Sequence, residues 1–137
     1  MADPRDLILV VDDDLSVLEV FALTLAQGGL NVATASSGGE ALAKVEELKP
    51  RLVLLDLMLP DYGGLEVIEL MRRRDPAEIP SVIVITGRFS DAQTREALSR
   101  ASNVVAYLEK PIRPSELLDH ARKALGARPA PVRPTPG

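Results

Sequence analysis

Five short apolar runs alternate with amphipathic stretches along the chain. The runs are LILVV (7–11), LNVATA (30–35), LVLL (52–55), SVIVI (81–85) and NVVAYL (103–108). Three of them are nearly continuous in Val, Ile and Leu, the pattern of parallel strands covered on both faces. The second run alternates more and carries small residues, as an edge strand does.

The stretches between the runs have helical spacing. Leu15, Leu18, Phe21, Ala22 and Leu25 recur at three- and four-residue steps and make one apolar stripe, which Gly28-Gly29 stops. The second stretch opens with SGGE, Ser37 to Glu40, a capping-box spacing, and is expected to bury Ala41, Val45 and Leu48. The third follows Gly63-Gly64 and carries Leu65, Ile68 and Met71. The fourth opens with a second capping box, Ser90 to Gln93, and has a mostly small apolar face of Ala92, Ala97, Leu98 and Ala101. The fifth has Pro114 in its first turn, where a missing N–H costs little; it would pack Leu117, Leu118, Ala121 and Leu125 and end at Gly126. Five βα units with right-handed crossovers predict an α/β fold, a parallel sheet with helices on both faces. From Ala127 the composition changes. ARPAPVRPTPG holds four of the eleven prolines in its last nine residues and reads as an extended linker or tail.

The polar residues at the strand ends carry the chemistry. The first run ends in Asp12, Asp13 and Asp14, the third in Asp56, the fourth in Thr86-Gly87 and the fifth in Glu109-Lys110-Pro111. A parallel sheet gathers its carboxyl ends along one edge, where ligands bind. Asp12, Asp13, Asp56, Thr86 and Lys110 can therefore converge in one cleft, with Asp56 presented at the rim of the sheet. Clustered carboxylates repel one another, and a hard divalent cation removes that repulsion. Magnesium takes oxygen ligands, usually one or two carboxylates plus substrate phosphate. Lys110 supplies a mobile point charge for a phosphoryl oxygen, the Thr86 hydroxyl can donate to another, and Gly87 leaves room beside them. A carboxylate nucleophile, a metal, a lysine and a hydroxyl together describe phosphoryl transfer to aspartate.

Composition narrows the alternatives. The chain has 137 residues, enough for one domain, and a net charge of -4 that offers no basic footprint for nucleic acid. Two Phe, two Tyr and no Trp leave no base-stacking platform. The lack of Cys excludes disulfides and thiol chemistry, and the one histidine, His120, cannot form a histidine cluster. No apolar run approaches the ~20 residues of a membrane span, and MADPRD is too acidic for a signal peptide. A cytoplasmic location is the expectation.

Each motif alone has a plainer reading. DDD suits a helix N-terminus, and Asp14 is read as only that. Asp56 could be a turn residue, Thr86 a β-branched strand residue and Lys110 a solvated lysine. His120 is read as a surface side chain, and Arg72-Arg73-Arg74 as the solvated end of the third helix. Four separate strand ends that each offer a suitable group favour the functional reading.

In order and spacing, ILVVDDD, LVLLDLMLPD, VIVITG and AYLEKPI resemble the receiver domain of two-component response regulators, over about Leu7 to Gly126. The resemblance implies a flavodoxin-like doubly wound (βα)5 fold, strand order 2-1-3-4-5, with residues 1–126 as receiver domain and 127–137 as linker or tail. It implies that Asp56 accepts a phosphoryl group from the phosphohistidine of a histidine kinase or phosphotransfer protein. Asp13, Asp56 and the Met58 backbone carbonyl would bind Mg2+, for which Mn2+ or another divalent cation could substitute, and Asp12 would act mostly through a metal-bound water. Lys110 would pair with Asp56 and then with the phosphoryl group, Thr86 would move toward the phosphate, and Tyr107 would turn inward with it. The Lys110-Pro111 bond would be cis. The output face would be formed by the fourth helix, fifth strand and fifth helix, and would bind a partner, an output domain or a second copy. Such a chain is a signalling domain that catalyses only its own phosphotransfer and dephosphorylation.

Two positions depart from the family pattern. Gly63 stands where an acidic residue often precedes the helix-opening glycine, with Asp61 earlier, and Arg113 stands before Pro114 in place of a small polar cap. Three rival readings are a receiver fold used without phosphorylation, a hydrolase of the haloacid dehalogenase type, and a dinucleotide-binding enzyme. The complete residue set argues against the first. Met58 occupies the place of the second aspartate that the dehalogenase type needs, and no GxGxxG follows the first run. The tail is too short for an output domain, so the expectation is a stand-alone receiver or a chain cut at a linker.

Overall fold

The five apolar runs form one parallel sheet in the order β2-β1-β3-β4-β5. The computed structural model describes residues 6–87 and 92–127. Its elements are β1 (Leu7–Val11), α1 (Leu15–Gln27), β2 (Asn31–Ala35), α2 (Gly38–Leu48), β3 (Leu52–Leu55), α3 (Gly64–Met71), a 3-10 turn (Pro76–Glu78), β4 (Ser81–Thr86), α4 (Ala92–Arg100), β5 (Val104–Glu109) and α5 (Pro114–Ala127). The alternation predicts the parallel sheet between helical layers, and the flavodoxin-like strand order is the one the family resemblance implies, with β2 at one edge of the sheet and β5 at the other.

Alternate strand residues face opposite layers. Leu9, Val11, Val53, Leu55, Val82 and Val84 pack with α2, α3 and α4 through Ala41, Val45, Val67, Ile68, Met71 and Leu98. Ile8, Val10, Leu52, Leu54, Ile83 and Ile85 pack with α1 and α5 through Leu18, Phe21, Leu25, Leu117 and Ala121. The continuous runs are apolar because the central strands are covered on both sides.

The structure corrects several details. Leu15, at the start of α1, is 69 % exposed, and Leu48, in the last turn of α2, is 40 % exposed. Both lie outside the part of their helix that faces the sheet. Leu48 sits where α2 ends on Lys49 in the left-handed conformation, φ 50°. On α3, Val67 is fully buried and Leu65 only partly, so the contact face is turned from the expected one. α5 continues through Gly126 to Ala127. Asp14 caps α1 as expected, accepting from the Ser16 and Val17 N–H groups. The expected capping box at Ser90 and the proline-rich segment beyond Ala127 lie outside the described residues.

Gly64 has a steric duty. A Cβ there would lie 2.7 Å from the Leu57 Cα and 2.5 Å from its Cδ2. Backbone cannot yield as a side-chain tip can, so Gly64→Ala should destabilise the fold by about 2 kcal/mol, read as a lower denaturation midpoint at unchanged m-value.

Candidate functional site

The pocket is built from strand ends. The backbone ladder runs one step past the strands: the Asp12 N–H donates to the Ala35 carbonyl at 3.1 Å and the Asp56 N–H to the Val11 carbonyl at 3.0 Å. Asp12 and Asp56 are therefore held side by side on adjacent strands, at the carboxyl edge of the sheet. One carboxylate oxygen from each of Asp12, Asp13 and Asp56 lies within 4.8 Å of the others. Asp13 is exposed, but Asp12 and Asp56 retain only 2 % and 6 % exposure. Asp56 is thus at the rim in topology yet buried as a side chain.

Lys110 makes that burial tolerable. Its Nζ donates to Asp12 Oδ2 at 2.5 Å and to Asp56 Oδ2 at 3.1 Å. Asp56 Oδ1 accepts the Met58 N–H at 2.9 Å, and Asp12 Oδ1 accepts the Asp14 N–H at 2.9 Å. Burial still pushes the Asp56 carboxyl above its ordinary range. The Met58 N–H and Lys110 pull it back, and the Asp12 charge adds to the rise. For Lys110, burial works against the charged amine, but the bonds to Asp12 and then Asp56 outweigh it and hold its pKa above the usual lysine value. Three acids against one lysine leave the pocket with a net negative charge. Clustered oxygen donors of that charge fit a hard divalent cation.

The remaining site residues flank this centre. Thr86 is buried at the end of β4, and its carbonyl accepts the Lys110 N–H at 2.9 Å. Lys110-Pro111 is cis. Gly87 leaves the Lys110 stem in ordinary contact, its nearest atom 3.8 Å from where a Cβ would be. Tyr107 pairs with Val84 on β4, and Thr86 pairs with Glu109. The β4–β5 register slips between Val82 and Ile83, which face Val104 and Ala106, so Val105 is an extra residue. The bulge puts Val104 and Tyr107, three apart, against the same layer. Thr86 alternates with Val82 and Val84 and so shares the α4 side of the sheet with Tyr107. The Arg95 guanidinium of α4 sits 6.0 Å from the Tyr107 ring centroid and 3.6 Å from Glu109 Oε1.

Sequence reasoning missed Asp61. This exposed residue bridges the β3–α3 loop to α2, accepting the Gly38 N–H at 2.7 Å and the Gly39 N–H at 2.8 Å. The signal for it was the pair of glycines opening α2, which leave two N–H groups uncovered by any side chain of their own.

A doubly wound sheet with an acidic, lysine-bridged pocket at its carboxyl edge defines the class, and the comparisons specify it. A family model for the response regulator receiver domain matches residues 8–122. The chain belongs to this family, the receiver domains of two-component response regulators, and is a signalling module. It is 36 % identical over 121 residues to the DNA-binding response regulator MtrA of Mycolicibacterium paratuberculosis, covering 88 % of this chain and 52 % of that protein. It is 36 % identical over 110 residues to the alkaline phosphatase synthesis transcriptional regulatory protein PhoP of Bacillus subtilis, covering 80 % of this chain and 44 % of that protein. The chain thus spans about half the length of the curated relatives it matches. Among solved structures, a CheY-like receiver domain protein from Methanospirillum hungatei superposes with a TM-score of 0.80 at 32 % identity, covering 88 % of this chain and 94 % of that one. The BeF3-activated DrrB receiver domain superposes with a TM-score of 0.74 at 32 % identity, covering 88 % and 97 %. The family match sets aside the dehalogenase and dinucleotide readings. Among the described residues, no helix is long and apolar enough to cross a membrane.

Proposed function

We propose that this domain is a phosphorylation switch whose phosphoacceptor is Asp56. The observation that carries this reading is the buried Asp56–Lys110–Asp12 cluster with Asp13 within 4.8 Å. Asp12, Asp13, Asp56 and the Met58 carbonyl are the residues that would hold a divalent cation, Mg2+ or Mn2+. When bound, such a cation supplies charge neutralisation for the incoming phosphoryl oxygens.

The chain's own groups do the rest. Burial makes the Asp56 carboxylate more basic, and so a better nucleophile. An Asp56 oxygen attacks phosphorus as the P–N bond of the donor phosphohistidine breaks. The electron pair leaves on the imidazole nitrogen, and an acyl phosphate forms. Water later attacks that phosphorus, releasing inorganic phosphate and restoring the carboxylate. Lys110, already between the two acids, needs only a small shift to follow the new charge onto the phosphoryl group. Thr86 donates its hydroxyl to a phosphoryl oxygen.

The readout runs along β4 and β5. Thr86 and Tyr107 lie on one side of adjacent strands, so a displaced Thr86 frees space toward which the Tyr107 ring turns. Arg95 ties that ring to α4. α4 presents little apolar surface to the core, chiefly Leu98, which suits a moving part. A groove of about 500 Å³ between α4 and β5, lined by Arg95, Leu98, Val105 and Tyr107, belongs to the face that would change. That α4-β5-α5 face would meet an output domain, a target protein or a second copy. The donor would be a histidine kinase or phosphotransfer protein in the cytoplasm. Residues 1–126 form the receiver in this reading, and the proline-rich 127–137 segment is its linker or tail.

The test is labelling with a small phosphodonor. With acetyl phosphate and magnesium the chain should gain one phosphoryl group, detected by intact mass. The label should be lost in hydroxylamine and absent with EDTA. Labelling that survives EDTA unchanged, or that maps to a residue other than Asp56, would end this reading.

A further inference from the structure

We propose that Asp61 is a positioning residue for the phosphoacceptor loop: its carboxylate, anchored on the first N–H groups of α2, fixes where that loop presents the Met58 carbonyl to a divalent cation beside Asp56. This rests on the metal-dependent reading above and goes beyond it by naming what holds the loop in place.

The loop between β3 and α3 has internal bonds that set its shape. The Gly64 N–H reaches the Leu57 carbonyl at 3.2 Å, Met58 bridges Gly63, and the Met58 N–H reaches Asp56 Oδ1. None of these says where the loop lies relative to its neighbours. Asp61 does. Its Oδ1 accepts from Gly38 and its Oδ2 from Gly39, a two-pronged bond across 22 and 23 residues of sequence. Tyr62 seals the contact, since a Cβ on Gly38 would lie 2.8 Å from its Cδ2 and 2.9 Å from its Cβ.

Asp61 is not needed to start α2. Ser37 already caps that helix by accepting the Glu40 N–H, and Glu40 reaches back to the Ser36 N–H. Asp61 takes the donors that remain, with its charge at the positive end of the helix dipole. The Gly39 N–H foremost, with Gly38 and Tyr62 behind it, holds its carboxyl below the usual range.

The bond also closes a ring around the pocket. Ala35, at the end of β2, accepts the Asp12 N–H, and only Ser36 and Ser37 separate it from Gly38. Asp61 therefore ties the loop carrying Asp56 to the segment that already holds Asp12. Cutting the ring frees the 57–63 segment, so the Met58 carbonyl drifts relative to the two acids, which the strand ladder and Lys110 still hold.

The experiment compares magnesium affinity by titration calorimetry in wild type, Asp61→Ala, Asp61→Asn, Gly38→Ala and Ser37→Ala, with amide exchange over residues 57–63. Asp61→Ala should weaken magnesium binding roughly 10-fold, the low end for losing a group that orients metal ligands, and speed exchange in the loop. Asp61→Asn keeps one acceptor and should fall between. Gly38→Ala, which pushes Tyr62 from the helix side, should act like Asp61→Ala. Ser37→Ala removes the helix cap and should lower the melting temperature while leaving magnesium affinity unchanged. Wild-type affinity in Asp61→Ala, or an equal loss in Ser37→Ala, overturns this proposal alone. A wild-type chain that binds no magnesium overturns it together with the reading beneath it.

Discussion

Asp56→Asn accepts no phosphoryl group from acetyl phosphate, yet its metal-free form melts above wild type at neutral pH. The first half follows from chemistry. The amide has no ionised oxygen to attack phosphorus, so labelling should fall from one group per chain to none by intact mass. The second half follows from burial. Asp56 is almost wholly inaccessible, and its carboxyl is pushed up by desolvation and by the Asp12 charge. A folded-state pKa above the unfolded value means that this group favours folding at low pH. That contribution is lost as the pH rises through the folded pKa. At neutral pH the ionised side chain is therefore a liability that Asn removes. Asn keeps an acceptor for the Met58 N–H, and Lys110 keeps its 2.5 Å bond to Asp12. The gain should be on the order of 1 kcal/mol, or roughly 4 °C in melting temperature. It should shrink as the pH falls through the raised Asp56 pKa toward that of free aspartate. Saturating magnesium should reverse the order, because the wild type binds it more tightly and is stabilised by that binding. A variant that labels like wild type, or that melts lower in EDTA at every pH, contradicts this account.

The sheet was legible because its signal is redundant. Past their first residues, β1 and β4 are buried on both faces, as is all of β3, so nearly every residue of LILVV, LVLL and SVIVI reports strand at once. The helices were legible as elements but less so as faces. Leu15 and Leu48 keep the helical spacing but lie where the helix has no sheet beneath it, which periodicity cannot reveal. β5 was located within a residue, yet its bulge at Val105 was invisible, because an extra residue changes which side chains share a face without changing composition. For the candidate site, topology alone brought Asp12, Asp13, Asp56 and Lys110 to one edge. The burial of Asp56 was not legible, since it depends on the neighbouring strand end and on the Lys110 side chain. Asp61 was noticed only as the acid that stands two residues before Gly63, the position that departs from the family pattern. Its partners are backbone groups 22 and 23 positions away, and only the paired glycines that open α2 hint at them.

Lys110→Met should do the reverse of Asp56→Asn and by a larger margin. Methionine retains the apolar stem and removes only the charge. Asp12 and Asp56 then face each other, both buried, without the shared Nζ that lies 2.5 and 3.1 Å from them. Breaking a buried pair by deleting one partner costs about 3–5 kcal/mol. Lys110 is 22 % exposed, so solvent moderates the loss, and about 2–3 kcal/mol is expected at neutral pH. With the lysine gone, Asp56 loses a contribution that lowered its pKa, so the variant's stability should fall more steeply as the pH rises out of the carboxylate range. The difference from wild type should persist until the pH passes the raised Lys110 pKa, where the amine itself discharges. Magnesium should rescue the variant more than the wild type, because the cation no longer competes with Nζ for the same oxygens. Phosphotransfer should nonetheless slow roughly 100-fold at saturating magnesium, the scale for losing one donor to a developing oxyanion. Stability and catalysis would thus separate: added metal restores the fold of Lys110→Met but not its labelling rate. A variant whose melting point and labelling rate recover together would mean that Lys110 serves only to neutralise the two acids and makes no contact with the transferred group.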